Sequence, residues 1–168
     1  AAAGNATTAR ETRGAAHFIT TNVTDAGTSG THAAMVEADV LAAAEAVWTA
    51  GGEASTILLG ATNKKLITAM SGRADSVRSV ADNNMTIQNS VDVYVSDFGT
   101  YNIVMDRFCD QDYVYFLDHD MWSVDYLRDF QTVDIASAGD GEKKMLLVEY
   151  GLRCGNEAAN ATIRYTTG

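Results

Sequence analysis

Between two amphipathic stretches lies Ser55-Thr56-Ile57-Leu58-Leu59-Gly60, a short apolar run bounded by a glycine. Such a run has no polar phase to offer water, so it predicts a strand buried on both faces, and hence a sheet covered by another layer. Upstream, Val36, Val40, Leu41, Ala44, Val47 and Trp48 recur at helical spacing opposite Glu37, Glu45 and Thr49, and the stretch stops at Gly51-Gly52. That pattern predicts an amphipathic helix over 36–50. Downstream, Thr62 is placed to cap a second helix over 62–71 that carries Leu66, Ile67 and Met70 and ends at Gly72. Trp48 and Trp122 fall in the apolar phase of their elements and are expected in the core.

Past Ser90 the period shortens to two. Val91, Val93 and Val95 alternate with Asp92 and Tyr94, and a turn at Asp97-Phe98-Gly99-Thr100 leads into Tyr101–Met105, which predicts an antiparallel hairpin. Further strands are expected at 113–117, 122–127, 144–150 and 161–165. The polar stretch 73–90 reads as a long exposed loop and Asp25–Gly30 as a short one. The fold class is α+β.

A chain of 168 residues fits one domain or two small subdomains, and 46% hydrophobic with 20% charged residues is an ordinary globular balance. The net charge of −10, with only 12 scattered Lys and Arg, argues against a groove that tracks phosphates. No apolar run approaches the roughly 20 residues that a membrane helix needs, and no signal-peptide pattern is visible. Cys109 and Cys154 lack metal or redox spacing and are expected to be reduced thiols. The chain opens at Ala1 without an initiator Met, which suggests a processed or cropped chain whose first part is missing.

Nine aspartates, Asp106, Asp110, Asp112, Asp118, Asp120, Asp125, Asp129, Asp134 and Asp140, crowd the middle. Paired acids can run acid/base or glycosidic chemistry, and Asp110-Gln111-Asp112 or Asp118-His119-Asp120 could offer oxygens to a hard cation. Most of them sit at turns or in the polar phase of alternating strands, where solvated Asp is expected without any catalytic role. His17, His32 and His119 form neither H-E-x-x-H nor a Cys/His cluster, and Gly139-Asp140-Gly141 is a turn, not a phosphate cradle. No catalytic residue, metal site or cofactor is therefore assigned, and the chain is expected not to be an enzyme.

The order Val91-Asp92-Val93-Tyr94-Val95-Ser96-Asp97-Phe98-Gly99, Asp106-Arg107-Phe108, Tyr115-Phe116-Leu117-Asp118, Tyr126-Leu127-Arg128, Ala138-Gly139-Asp140 and Glu149-Tyr150-Gly151-Leu152 resembles the major capsid proteins of tailed bacteriophages with the Hong Kong 97-type fold. Weaker correspondence runs upstream through Arg10, Arg13, Gly14, Trp48–Gly52 and Ile57–Gly60, so the resemblance spans nearly the whole chain. The sequence departs from the family where Gly151 stands for an expected Thr and where Ser137-Ala138-Gly139 replaces a more usual Lys-Thr-Gly.

The resemblance implies a wedge-shaped subunit with axial and peripheral subdomains, whose N-terminal arm, extended loop and spine helix lie upstream and are missing from this chain. On that basis residues 1–30 are expected to be an extended joining segment, 31–110 mainly axial subdomain, and 111–168 a β-rich return to the peripheral one. It also implies self-assembly into pentamers and hexamers of an icosahedral head, assembled in the host cytoplasm and enclosing DNA without sequence-specific binding. Scaffold, portal and decoration proteins are possible partners, and no membrane is. Arg73, Arg78, Asn83, Arg107 and Arg128 are the expected interface residues, the last two through ion pairs with nearby Asp, since guanidinium forks suit carboxylates. Two alternatives stand beside this reading, a carbohydrate-active or cation-dependent enzyme built on the aspartates and a Ca²⁺-stabilised binding module. An enzyme needs two carboxylates facing one cleft, a Ca²⁺ module a melting temperature that rises with the ion, and a shell protein an exposed apolar surface.

Overall fold

The computed structural model describes residues 7, 13–28, 35–70, 92–136 and 139–166. Its elements run α1 (Ala15–Phe18), β1 (Val23–Thr28), α2 (Glu37–Thr49), β2 (Thr56–Leu59), α3 (Ala61–Ala69), β3 (Val93–Ser96), β4 (Gly99–Met105), β5 (Tyr113–Leu117), β6 (Trp122–Ile135), β7 (Lys143–Cys154) and β8 (Ala161–Thr166), with single 3-10 turns at His119–Met121 and Glu157–Ala159. The mixed α+β composition agrees with the sequence reading.

The chain divides into two compact units, residues 19–121 with 156–168, and residues 1–18 with 122–155. These divisions differ from the expected boundaries after 30 and 110. Strands β5 and β8, placed by the sequence reading in the returning part, pair inside the same sheet as β2 and β4.

That sheet has the order β1-β8-β5-β2-β4-β3. β2 lies parallel to β4 and antiparallel to β5, with Ile57 opposite Ile103 on one side and Phe116 on the other. Ile57 and Leu59 are fully buried, so the apolar run is a central strand, as its composition requires. β3 and β4 form the antiparallel hairpin about Asp97-Phe98, with Gly99 at φ 154° as the first residue of β4. Side chains alternate across a strand. One face of the sheet therefore collects Tyr94, Tyr101, Ile103, Ile57, Leu59, Phe116, Val114 and Ile163, and these join Val40, Ala43, Ala44 and Val47 of α2 and Ile67 of α3 in one buried cluster. Within it Tyr101 meets Phe116 edge to face at 5.5 Å.

Asn63 is the polar exception on α3, wholly buried. Its amide donates to the carbonyls of Gln111 (2.8 Å) and Tyr113 (3.4 Å), and its oxygen accepts from the Tyr165 hydroxyl (3.3 Å). Both the donor and the acceptor end of the buried amide thus have partners. Burial pushes the Tyr165 phenol up to about 12, with Asp39 and Asp112 adding to the effect.

Three expectations need correction. Asp25–Thr28 is not loop but the last four residues of β1, parallel to β8 at the sheet edge. Its composition is poor for a strand, and the pairing is supported instead by an Arg164–Asp25 ion pair at 2.6 Å, with a register shift around Gly27 (φ 131°). α3 is capped not by Thr62 but at Gly60, and the Thr62 amide inside the first turn donates to the Gln111 side chain at 3.0 Å. A long-range partner thus does what local capping chemistry was expected to do. Trp48 is 63% exposed, because α2 turns its Val40, Ala43, Ala44 and Val47 stripe to the core and Trp48, one residue round the helix from Val47, falls at the edge of that stripe. The stretch 73–90 lies outside the described residues.

Gly52 lies against the 3-10 turn before β8. A Cβ added there would sit 2.6 Å from the Ala159 Cα and 2.7 Å from its carbonyl oxygen, both backbone atoms that cannot swing aside. Gly52→Ala is expected to destabilise the protein by about 1–3 kcal/mol, the usual cost of overpacking, as a lowered midpoint in urea with an unchanged slope.

Candidate assembly interface

The aspartate-rich segment resolves into turn locks and ion pairs. Oδ1 of Asp106 accepts from the Phe108 amide (3.0 Å), Oδ1 of Asp110 from the Asp112 amide (3.1 Å), and Oδ1 of Asp118 from the Asp120 amide (3.2 Å). These are the local turn-forming bonds for which short carboxylate side chains are chosen. Asp129 accepts from the Phe130 amide at 2.7 Å, Asp125 pairs with Arg153 at 3.8 Å, and Asp134 with Lys144 at 3.9 Å.

A shallow cleft of about 430 Å³ opens beside the 3-10 turn at 119–121, lined by Gly51, Glu53, Ser55, Asp118, His119, Asp120 and Met121. His119 Nε2 is 3.0 Å from Thr56 Oγ1. Among the described residues no group of three His, Cys, Asp or Glu is placed to hold a metal ion. Cys109 and Cys154 are both free thiols, and burial, helped by Asp106 and Asp110, pushes the Cys109 thiol up and away from the reactive thiolate.

Among the described residues, nine of the sixteen exposed large hydrophobic side chains lie on β6 and β7, an antiparallel hairpin of 14 and 12 residues where the sequence reading expected two short strands. Near its base the pairs Trp122/Cys154, Val124/Leu152 and Tyr126/Tyr150 share one face, where Phe18 packs edge-on to Trp122 at 6.0 Å. Two register shifts follow in β6, one between Tyr126 and Arg128 and one between Arg128 and Gln131. Toward the tip, Gln131/Leu147, Val133/Met145 and Ile135/Lys143 occupy the odd positions of β7 and therefore the opposite face. Leu127, the extra residue of the first bulge, is 75% exposed, and Phe130 in the second is 62% exposed. Apolar side chains thus meet solvent on both faces of a two-stranded sheet.

Of the expected interface residues, Arg107 is exposed in the turn after β4, beside Phe108. Arg128 pairs across the hairpin with Glu149 at 3.1 Å, a glutamate where an aspartate was expected. Arg73, Arg78 and Asn83 lie outside the described residues. The sequence reading missed the apolar stretch 130–135. Its signal was present, since Phe130, Val133 and Ile135 extend the strand pattern past Arg128-Asp129, but the two bulges break strict alternation.

The family described as SU10 major capsid protein matches residues 1–167. The chain belongs to that family. It is also 27% identical over 134 residues to the major capsid protein of Escherichia phage Phieco32, a match covering 79% of this chain and 38% of that relative. The chain thus spans about two fifths of the curated relative's length. Among solved structures it is similar to a virus-like particle from Pyrococcus furiosus, at 12% identity and a TM-score of 0.44, over 86% of this chain and 56% of that one.

Because six of these carboxylates serve local backbone bonds or ion pairs and no three acidic or His/Cys groups converge among the described residues, excess Ca²⁺ or Mg²⁺ is expected to leave the melting temperature unchanged. A rise that grows with ion concentration would reveal a site through binding linkage.

Proposed function

We propose that this chain is part of the shell subunit of a phage head and acts structurally, by self-association. Membership of a major capsid protein family over residues 1–167 carries the reading. A shell subunit needs no reaction pocket; it needs complementary surfaces repeated by symmetry and enough charge to limit premature contact. The net charge of −10 and the exposed apolar hairpin suit that task.

In this reading the subunit keeps the Hong Kong 97-type plan. The six-stranded unit corresponds to the axial subdomain and the hairpin unit to the peripheral one, so the return to the peripheral part is confined to 122–155. Pentamers and hexamers close an icosahedral head around DNA that the acidic chain does not grip. Assembly takes place in the host cytoplasm with scaffold, portal and decoration proteins as partners, and the product is the virion. Arg107 and Arg128, with Arg73, Arg78 and Asn83, contribute intersubunit contacts. Neither the aspartate segment nor the cleft at His119 offers an observation that favours an enzyme or a Ca²⁺ module instead.

The test is negative-stain microscopy with sedimentation on the full-length protein expressed alone. Closed shells or rings of five and six subunits are expected, and a monomer at high concentration would overturn the reading. Leu127→Asp in the same protein should change subunit stability by no more than about 0.5 kcal/mol, as exposed positions do. It should nevertheless reduce shell yield severely if the hairpin is an assembly surface. Arg128→Ala should likewise cost about 1 kcal/mol in the subunit, near the upper end for a surface ion pair because Glu149 is half-buried, and show its effect in particle yield.

A further inference from the structure

The polypeptide passes between its two units three times, at 18/19, 121/122 and 155/156. Within the six-stranded unit, the ends of all three passages are tied to one short segment, Asn156–Asn160. The passage at 121/122 is held through Asn160, which is fully buried; its side-chain oxygen accepts from the Asp118 amide at 2.9 Å, and its amide donates to the Asn156 carbonyl at 3.0 Å. The passage at 18/19 is held through Glu157. One carboxylate oxygen accepts from the Thr20 amide at 2.9 Å, the Thr21 amide at 3.2 Å and the Thr20 hydroxyl at 3.5 Å, while the other accepts from the Thr21 hydroxyl. Asn22 then donates to the carbonyls of Ala158 (2.7 Å) and Asn160 (3.2 Å).

Two successive amides with their own hydroxyls form a small anion-binding concavity, and here the anion is a side chain of the same chain. The bonds are charge-assisted. They connect residues 137 positions apart, outside any strand, because the β1 ladder begins only at Val23. Ile19 beside them is buried, yet it is not part of the main core cluster.

We propose that Glu157 is a clasp that fixes the point where the chain enters the six-stranded unit, and that it can open without unfolding the sheet. The same donors hold the Glu157 carboxyl below the ordinary glutamate range, against the opposing effect of burial. The sheet keeps its own supports, the β5–β8 and β1–β8 ladders and the cluster under α2, none of which uses this carboxylate. Glu157 therefore governs a local opening, of the kind that exposes a few amides while the rest of a protein stays closed.

The test is residue-resolved amide hydrogen exchange on the full chain, comparing the unaltered protein with Glu157→Ala and Glu157→Gln. Loss of a hydrogen bond to a charged acceptor predicts exchange at Thr20 and Thr21 faster by about tenfold or more in Glu157→Ala. Glu157→Gln, which keeps a neutral acceptor, should fall between. Amides of β5 and the centre of β8 should keep their rates in both variants, and those rates also report that each variant is folded. Unchanged exchange at Thr20 and Thr21 would overturn the proposal by showing that the carboxylate does not hold the segment. Equal acceleration across β1, β5 and β8 would overturn it as well, by making Glu157 a support of the whole sheet.

Discussion

The six-stranded unit depends on β2 being paired on both sides. A strand with neighbours in opposite directions, parallel β4 and antiparallel β5, can satisfy its backbone only in the interior of a sheet, and Ile57 and Leu59 then have one place to go. Their burial requires a covering layer, which the apolar stripe of α2 and Ile67 of α3 help supply from either side of β2 in sequence. The distant strand β8 completes the sheet by pairing with β5 and bringing Ile163 and Tyr165 to the same cluster. The final residues of the chain are thus as much a part of the core as its middle.

How legible each part was follows from how local its physics is. The helix over 36–50, the strand at 56–59 and the hairpin of β3 and β4 were readable because period and glycine punctuation are properties of neighbouring residues. β1 was not, since Asp25, Ala26 and Gly27 have little strand preference and become one only when β8 offers a ladder and Arg164 offers a charge. The cap of α3 was misread for the same reason, Gln111 being 49 residues from the amide it serves. The family resemblance was legible; of the aspartates expected at turns or on the polar phase of strands, Asp106, Asp110 and Asp118 hold turns and Asp125, Asp129 and Asp134 lie in β6. The junction at Glu157 left no signal, because a glutamate followed by two alanines looks like any solvated helical fragment.

The two units spend their apolar residues in opposite ways. In the larger one the periodic apolar positions converge on a single cluster, and the wholly buried Asn63 and Asn160 are hydrogen-bonded through both side-chain oxygen and nitrogen. In the hairpin unit the apolar positions themselves change parity, from Trp122, Val124 and Tyr126 to Val133 and Ile135. The two one-residue bulges between them offset each other, so the second set lies on the opposite face from the first.

A two-stranded hairpin is marginal by itself in water, and at roughly 25 cal/mol per Å² of apolar surface each exposed Leu or Phe forgoes stabilisation that a folded core would have used. Single exposed apolar residues are ordinary, but Leu127, Phe130, Leu146 and Tyr150 together on one hairpin are not. Stabilising the hairpin within its own chain would have required a single apolar face and one covering element. An arrangement with apolar surface on both sides gains only when something covers each side. That is a requirement a protein of a major capsid protein family can meet by repetition of its own subunit.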